Sequence, residues 1–215
     1  MKKISSNTID TIGYSLLAVV VVLAGIYFFN SVSEKGKGVE PAPVSLDDNI
    51  LGGEEVKVVL VEYGDFQCPA CKNYEPIVQG LLNNHKKDIQ FVFRHFPLTS
   101  IHKNALLSAK FAEAAGIQGK FWEAHDMLYA NQENWSEKLN AKEILLEYAK
   151  GLNLDVSKLV IDMESKSIEE KIFAQYKEGI SVGVKGTPTF FVNGVKINNP
   201  QTVEAFEKII KEAQK

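Results

Sequence analysis

Three apolar spacings divide the chain. The first is continuous: no residue from Thr11 to Ser33 is charged, a run of 23. Its centre, Leu16 to Phe29, is Leu, Ala, Val, Ile and Phe with one Gly and one Tyr. About 20 such residues suffice for a helix to cross a bilayer core of about 30 Å. The run therefore predicts a transmembrane anchor over 11–33, after a short tail of residues 1–10. A cleaved signal peptide is the alternative, with Lys2 and Lys3 as its basic start and Val22-Leu23-Ala24 as a weak cleavage site. Gly25 to Phe29 stay apolar beyond that site, which favours an uncleaved anchor. Lys2 and Lys3 precede the span while Lys35 and Lys37 follow it, so charge gives only a faint preference for the tail inside. The remainder then lies outside the cytoplasmic membrane, where disulfides persist.

The second spacing is that of strands. Val56 to Gly64 is β-branched and nearly continuous, as expected of a strand buried on both faces. Thr189 to Val192 leads into Asn193-Gly194 and then Val195-Lys196-Ile197, a hairpin signal. The third spacing is helical. Lys72 to His85 places Tyr74, Ile77, Val78, Leu81 and Leu82 on one side. Ile101 to Ile117, Phe121 to Asn131, Ala141 to Leu152 and Val156 to Glu178 follow, and Phe206, Ile209 and Ile210 mark a closing helix. Ser31 to Ser45 has no apolar period and carries Gly, Pro and charge, so residues 34–45 read as a linker and 46–215 as one domain. The pattern predicts an α/β fold, a mixed sheet flanked by helices with a helical cap over about 99–180.

Composition narrows the function. The 215 residues carry 24 Lys+Arg against 27 Asp+Glu, a formal charge of −3, and Arg94 is the only arginine. A nucleic-acid partner needs a basic face and is not expected. At 45% hydrophobic and 24% charged, the chain is neither disordered nor collagenous. Two cysteines cannot staple a disulfide scaffold, so packing must hold the fold.

Those two cysteines, Cys68 and Cys71, stand where the first strand hands over to a helix. Cys68 falls at or next to the N-cap, and Pro69 suits the first helical turn, where its missing N–H has no partner to lose. Unpaired N–H groups and the partial positive charge of the helix end favour a thiolate there. Cys68 is thus the candidate nucleophile and Cys71, one turn on, the resolving thiol. Zinc is not expected: there is no second cysteine pair, and His85, His95, His102 and His125 lack paired spacing. Binding of Cu(I) by two soft thiolates remains an alternative. Glu62, six residues before Cys68, interrupts an apolar strand. It reads either as a solvated edge residue or as a buried carboxyl that exchanges protons with Cys71.

Glu62, then Asp65-Phe66-Gln67-Cys68-Pro69-Ala70-Cys71, and Gly186-Thr187-Pro188-Thr189-Phe190-Phe191-Val192-Asn193-Gly194 some 115 residues later, resemble the DsbA-like thioredoxin-fold oxidoreductases. The similarity is to the membrane-tethered bacterial and archaeal branch and extends over residues 46–215, including Arg94-His95-Phe96-Pro97-Leu98, His102 and Gly119 to Glu123. It implies a thioredoxin-like fold in which the middle helices form the family's insertion. Pro188 would be the cis-proline facing the disulfide, and Thr187 would offer its backbone to an extended substrate peptide. Glu62 would be the family's buried carboxylate, and Pro76 the proline within the active-site helix. The implied activity is extracytoplasmic thiol-disulfide exchange with no cofactor beyond a redox-active Cys68–Cys71 disulfide, most directly disulfide formation in exported, cysteine-containing polypeptides. A quinone-linked reoxidase or an electron donor in the membrane would serve as redox partner. Pro69 and Ala70 tune the pair, and Ala70 replaces the histidine of the strongly oxidising CPHC motif. Reductase or isomerase action uses the same residues, although residues 1–45 leave no dimerisation domain.

Overall fold

The computed structural model describes residues 40–53, 56–85 and 87–215. The tail and anchor expected over 1–33, and the first half of the linker, lie outside these residues. Among the described residues no helix is long and apolar enough to cross a membrane.

Five strands form one mixed sheet: β1 (Asn49–Gly52), β2 (Val58–Gly64), β3 (Ile89–His95), β4 (Thr189–Val192) and β5 (Val195–Lys196), in the order β1-β3-β2-β4-β5. β2 and β3 run parallel and the other pairs antiparallel. The parallel pair needs a crossover, supplied by α1 (Pro69–His85). Between β3 and β4 come α2 (Ala105–Ile117), α3 (Phe121–Ala130), α4 (Gln132–Trp135), α5 (Ala141–Gly151), α6 (Val156–Met163) and α7 (Lys166–Ser181). α8 (Val203–Ala213) closes the chain.

Strand alternation assigns the two faces. Leu60, Phe91, Phe190 and Val192 meet Val78, Leu81 and Leu82 of α1 and Phe206 and Ile210 of α8. Val61, Tyr63, Val92 and Phe191 face the other way, against Phe96, Tyr176, Val182 and Val184. A third cluster fills the helical insertion and reaches the active-site end, where Phe66, Cys68, Cys71 and Phe93 join Phe121, Leu128, Tyr129 and Trp135. The hairpin turn is as expected: Asn193 and Gly194 both take positive φ, 47° and 80°.

Several elements differ from the sequence reading. The segment expected as one helix over 156–178 is two, because the Ser165 side chain accepts from Ile168 N and starts α7 anew. Residues 101–104 form a turn, so α2 begins at Ala105. α1 takes in Pro69 to Cys71 ahead of the apolar stripe of Lys72 to His85 and runs through Pro76. Arg94 and His95 are the last residues of β3. β1 and α4, four residues each, are too short to show a period.

Arg94 explains why residues 40–45 lie on the domain. Its buried guanidinium donates to Asp48 Oδ1 and Oδ2 (3.0 and 2.8 Å), Glu178 Oε1 (2.7 Å) and the carbonyls of Ala42 and Pro43 (3.0 and 3.4 Å). The compact unit accordingly begins at Glu40. The one arginine is consumed internally.

Candidate active site

β2 ends at Gly64 and the chain turns through Asp65-Phe66-Gln67 into α1. Asp65 builds that turn. Its Oδ1 accepts from Gln67 N (2.8 Å), and its Oδ2 accepts from Leu98 N (2.9 Å) and lies 2.7 Å from His102 Nδ1. Its carbonyl accepts from Cys68 N (3.0 Å). The insertion grips the same turn from the other side. Gln132 Nε2 donates to Phe66 O (2.7 Å) and Cys68 O (3.0 Å), and Gln67 Oε1 accepts from Asn104 N (2.7 Å).

Cys68 immediately precedes α1 and Pro69 is its first residue, as the sequence reading expected. Pro69 and Ala70 are exposed, Cys68 is 7% exposed and Cys71 1%. Both cysteines are free thiols. Across from them the Thr187–Pro188 peptide is cis, and Cys68 Sγ donates to Thr187 O at 3.5 Å. The structure thus brings together Cys68, Cys71, Thr187 and Pro188 from positions some 115 residues apart.

The two thiols have opposite environments. A hydrogen bond from the Cys71 thiol holds Cys68 down from 9.0 to about 5, against burial, with help from the Thr187 side chain and the N–H groups of Cys71 and Ala70. Thr187 Oγ1 is buried and has no partner while Cys68 is a thiol. It is a donor suited to the thiolate. Burial pushes Cys71 well above the ordinary thiol range, reinforced by its bond to Cys68 and by the charge of Glu62.

Glu62 lies in β2 between Phe93 and Phe190 on the face toward α1, and is 2% exposed. The edge-facing reading does not hold, since β2 is central in the sheet. Burial raises its pKa well above the carboxylate range, and Glu75 and Cys68 add to the shift. Among the described residues it makes no hydrogen bond to either sulfur; its influence on them is electrostatic.

A family described as Thioredoxin matches residues 45–212. The chain belongs to the thioredoxin family. Among solved structures, BdbD of Bacillus subtilis superposes with a TM-score of 0.72 at 20% identity, over 83% of this chain and 99% of that one. Wolbachia pipientis α-DsbA1 gives 0.71 at 19% identity, over 80% and 92%. A thioredoxin-like oxidoreductase from Silicibacter pomeroyi gives 0.69 at 26% identity, over 79% and 94%. These superpositions show a thioredoxin fold with a helical insertion, as in BdbD and α-DsbA1. The chain is also 38% identical over 172 residues to the Na(+)/H(+) antiporter NhaA 3 of Salinispora tropica, and 40% identical over 172 residues to NhaA 1 of Salinispora arenicola. It covers 80% of its own length in these matches but spans only 26% of each antiporter.

Asp65, Gln67, Asn104 and Gln132 hold the site, and the sequence reading gave none of them a role. Asp65 two residues before Gln67 has the form of an Asx-turn and carried a local signal. Gln132, 64 residues from Cys68, carried none.

Proposed function

We propose that the chain is a protein thiol-disulfide oxidoreductase working through a Cys68–Cys71 pair, most directly as a donor of disulfides to exported polypeptides. The observation that carries this is the asymmetry of the pair, with Cys68 held down to about 5 beside the cis Thr187–Pro188 peptide and Cys71 pushed up by burial. A substrate thiolate attacks Cys68 of the oxidised pair. The Cys68–Cys71 bond breaks, a mixed disulfide forms, and the electron pair leaves on Cys71, which takes a proton from Glu62. A second substrate thiolate then attacks the substrate sulfur and releases Cys68 as thiolate. Two substrate thiols lose two electrons and the enzyme pair gains them. Low-pKa Cys68 is the better leaving group, which favours this direction.

Thr187 receives the substrate backbone in this reading, and the exposed Pro69 and Ala70 flank its path. No cofactor is required beyond the disulfide itself. The uncharged run Thr11–Ser33 supports tethering with the domain extracytoplasmic, near a membrane reoxidase. Equilibration of the full chain with glutathione buffers tests the direction. A potential near −120 mV is expected of a disulfide donor, and one near −270 mV would make it a reductase.

A further inference from the structure

Among the described residues, two buried polar atoms besides Thr187 Oγ1 have no hydrogen-bond partner, Tyr129 Oη and His125 Nε2. Neither belongs to the exchange chemistry described above. They sit four residues apart on α3, on one face, with ring centroids 5.0 Å apart. Tyr129 is 2% exposed and His125 fully buried, so each atom carries the desolvation penalty of an unmade bond. Such atoms need a reason.

Their neighbours suggest one. Tyr129 packs on Phe66 (5.1 Å) in the cluster that holds Cys68 and Cys71. Burial pushes the Tyr129 hydroxyl well above the ordinary phenol range, and the charges of Cys71, Glu62, Glu75 and Asp65 add to the shift. On the outer side His125 Nδ1 lies 2.9 Å from Asp126 Oδ1 and 3.9 Å from Glu75 Oε1. The Asp126 side chain is 56% exposed. Glu75 on α1 in turn bears on Glu62. Titratable groups of β2, α1 and α3 thus gather around Tyr129 and His125, and Asp126 brings the group to solvent.

We propose that Tyr129 and His125 carry protons between the Cys71–Glu62 pair and the surface at Glu75 and Asp126. Each turnover leaves Cys71 protonated and Glu62 short of one proton, in an apolar cluster where neither can draw on bulk water. The Tyr129 hydroxyl gives its proton toward Glu62 and regains one from the His125 side. One proton moves inward per turnover and neutralises the Glu62 carboxylate. Both are positioning and relay residues, since neither touches the substrate.

The inference rests on the proposed exchange activity and deepens it. The test uses the full oxidised chain and a single-thiol peptide, following release of Cys71 by stopped-flow. Tyr129→Phe and His125→Phe keep the ring packing and remove the polar atoms. Both are expected to slow Cys71 release about tenfold or more, within the range of lost proton transfer, and to change the solvent deuterium isotope effect. Alkylation of Cys68 in the reduced variants should keep the wild-type rate and pH profile, because Cys71 already carries its proton in the reduced form and none has to be delivered. Wild-type release rates in both variants would overturn the relay. So would equal slowing of Cys68 alkylation, which marks a packing role. A wild-type chain that fails to exchange with the peptide would instead overturn the activity on which the relay depends.

Discussion

Thiolate stabilisation at Cys68 should make the stability gap between the reduced and oxidised chain depend on pH. The perturbation is a pH series from 4 to 8.5 on both redox forms. The Cys68 pKa falls from 9.0 unfolded to about 5 folded, so its contribution is fully present above about 9 and is lost as pH falls through about 5. Only the reduced form has this thiol. At about 1.4 kcal/mol per tenfold, the fall from 9.0 to about 5 sets a ceiling of about 5.5 kcal/mol. Solvent reaches the sulfur, and screening brings the expected change to about 2–3 kcal/mol between pH 5 and 8.5. Glu62 works oppositely, since its raised pKa removes stability as pH rises above the carboxylate range, but it does so in both forms and largely cancels in the difference. Cys71, raised by burial, subtracts only above about 9. Denaturant midpoints of the two forms give the gap, and iodoacetamide kinetics give the Cys68 midpoint directly. Stability curves that run parallel, with an alkylation midpoint near 8.5–9, would refute the reasoning.

Three structural predictions follow from the supports of the site. Arg94→Met leaves the buried Asp48 and part-buried Glu178 carboxylates without their cation and should cost about 3–5 kcal/mol in denaturant unfolding, with part of the loss restored by adding Asp48→Asn. Gly179→Ala places a methyl 2.7 Å from Phe96 Cδ2 and 3.1 Å from Tyr63 Cδ1, so rings must shift and about 1–3 kcal/mol should be lost. Gln132→Ala strands the Phe66 carbonyl, takes one of two donors from the Cys68 carbonyl, which keeps Lys72 N, and should cost about 1–3 kcal/mol, and Cys68 alkylation should slow as the turn loosens.

Much of the fold was legible because its signals are local. The strand into Cys68-Pro69-Ala70-Cys71, the Asn193-Gly194 hairpin and the apolar stripe of α1 each announce themselves within a few residues. The elements that escaped depend on distant partners or on length. β1 exists as an edge strand because β3 offers its free side, and four residues of Asn-Ile-Leu-Gly show no period of their own. The break at Ser165 hides inside a continuous helical pattern, since a serine reads as tolerable until its side chain is seen capping Ile168 N. The site divides in the same way. Cys68, Cys71 and Glu62 follow from spacing and burial cost, and Thr187 and Pro188 from resemblance. Gln132, Tyr129 and His125 required the fold, because only packing brings α3 and α4 over the cysteines.

The central claim is that Cys68 takes up a substrate sulfur and Cys71 releases it. The most direct measurement is the intact mass of the full chain bearing Cys71→Ser after mixing with a disulfide-containing peptide. A stable adduct of one peptide chain on Cys68, absent when Cys68→Ser is also present, is the predicted result. No adduct, or the same adduct without Cys68, would contradict the account.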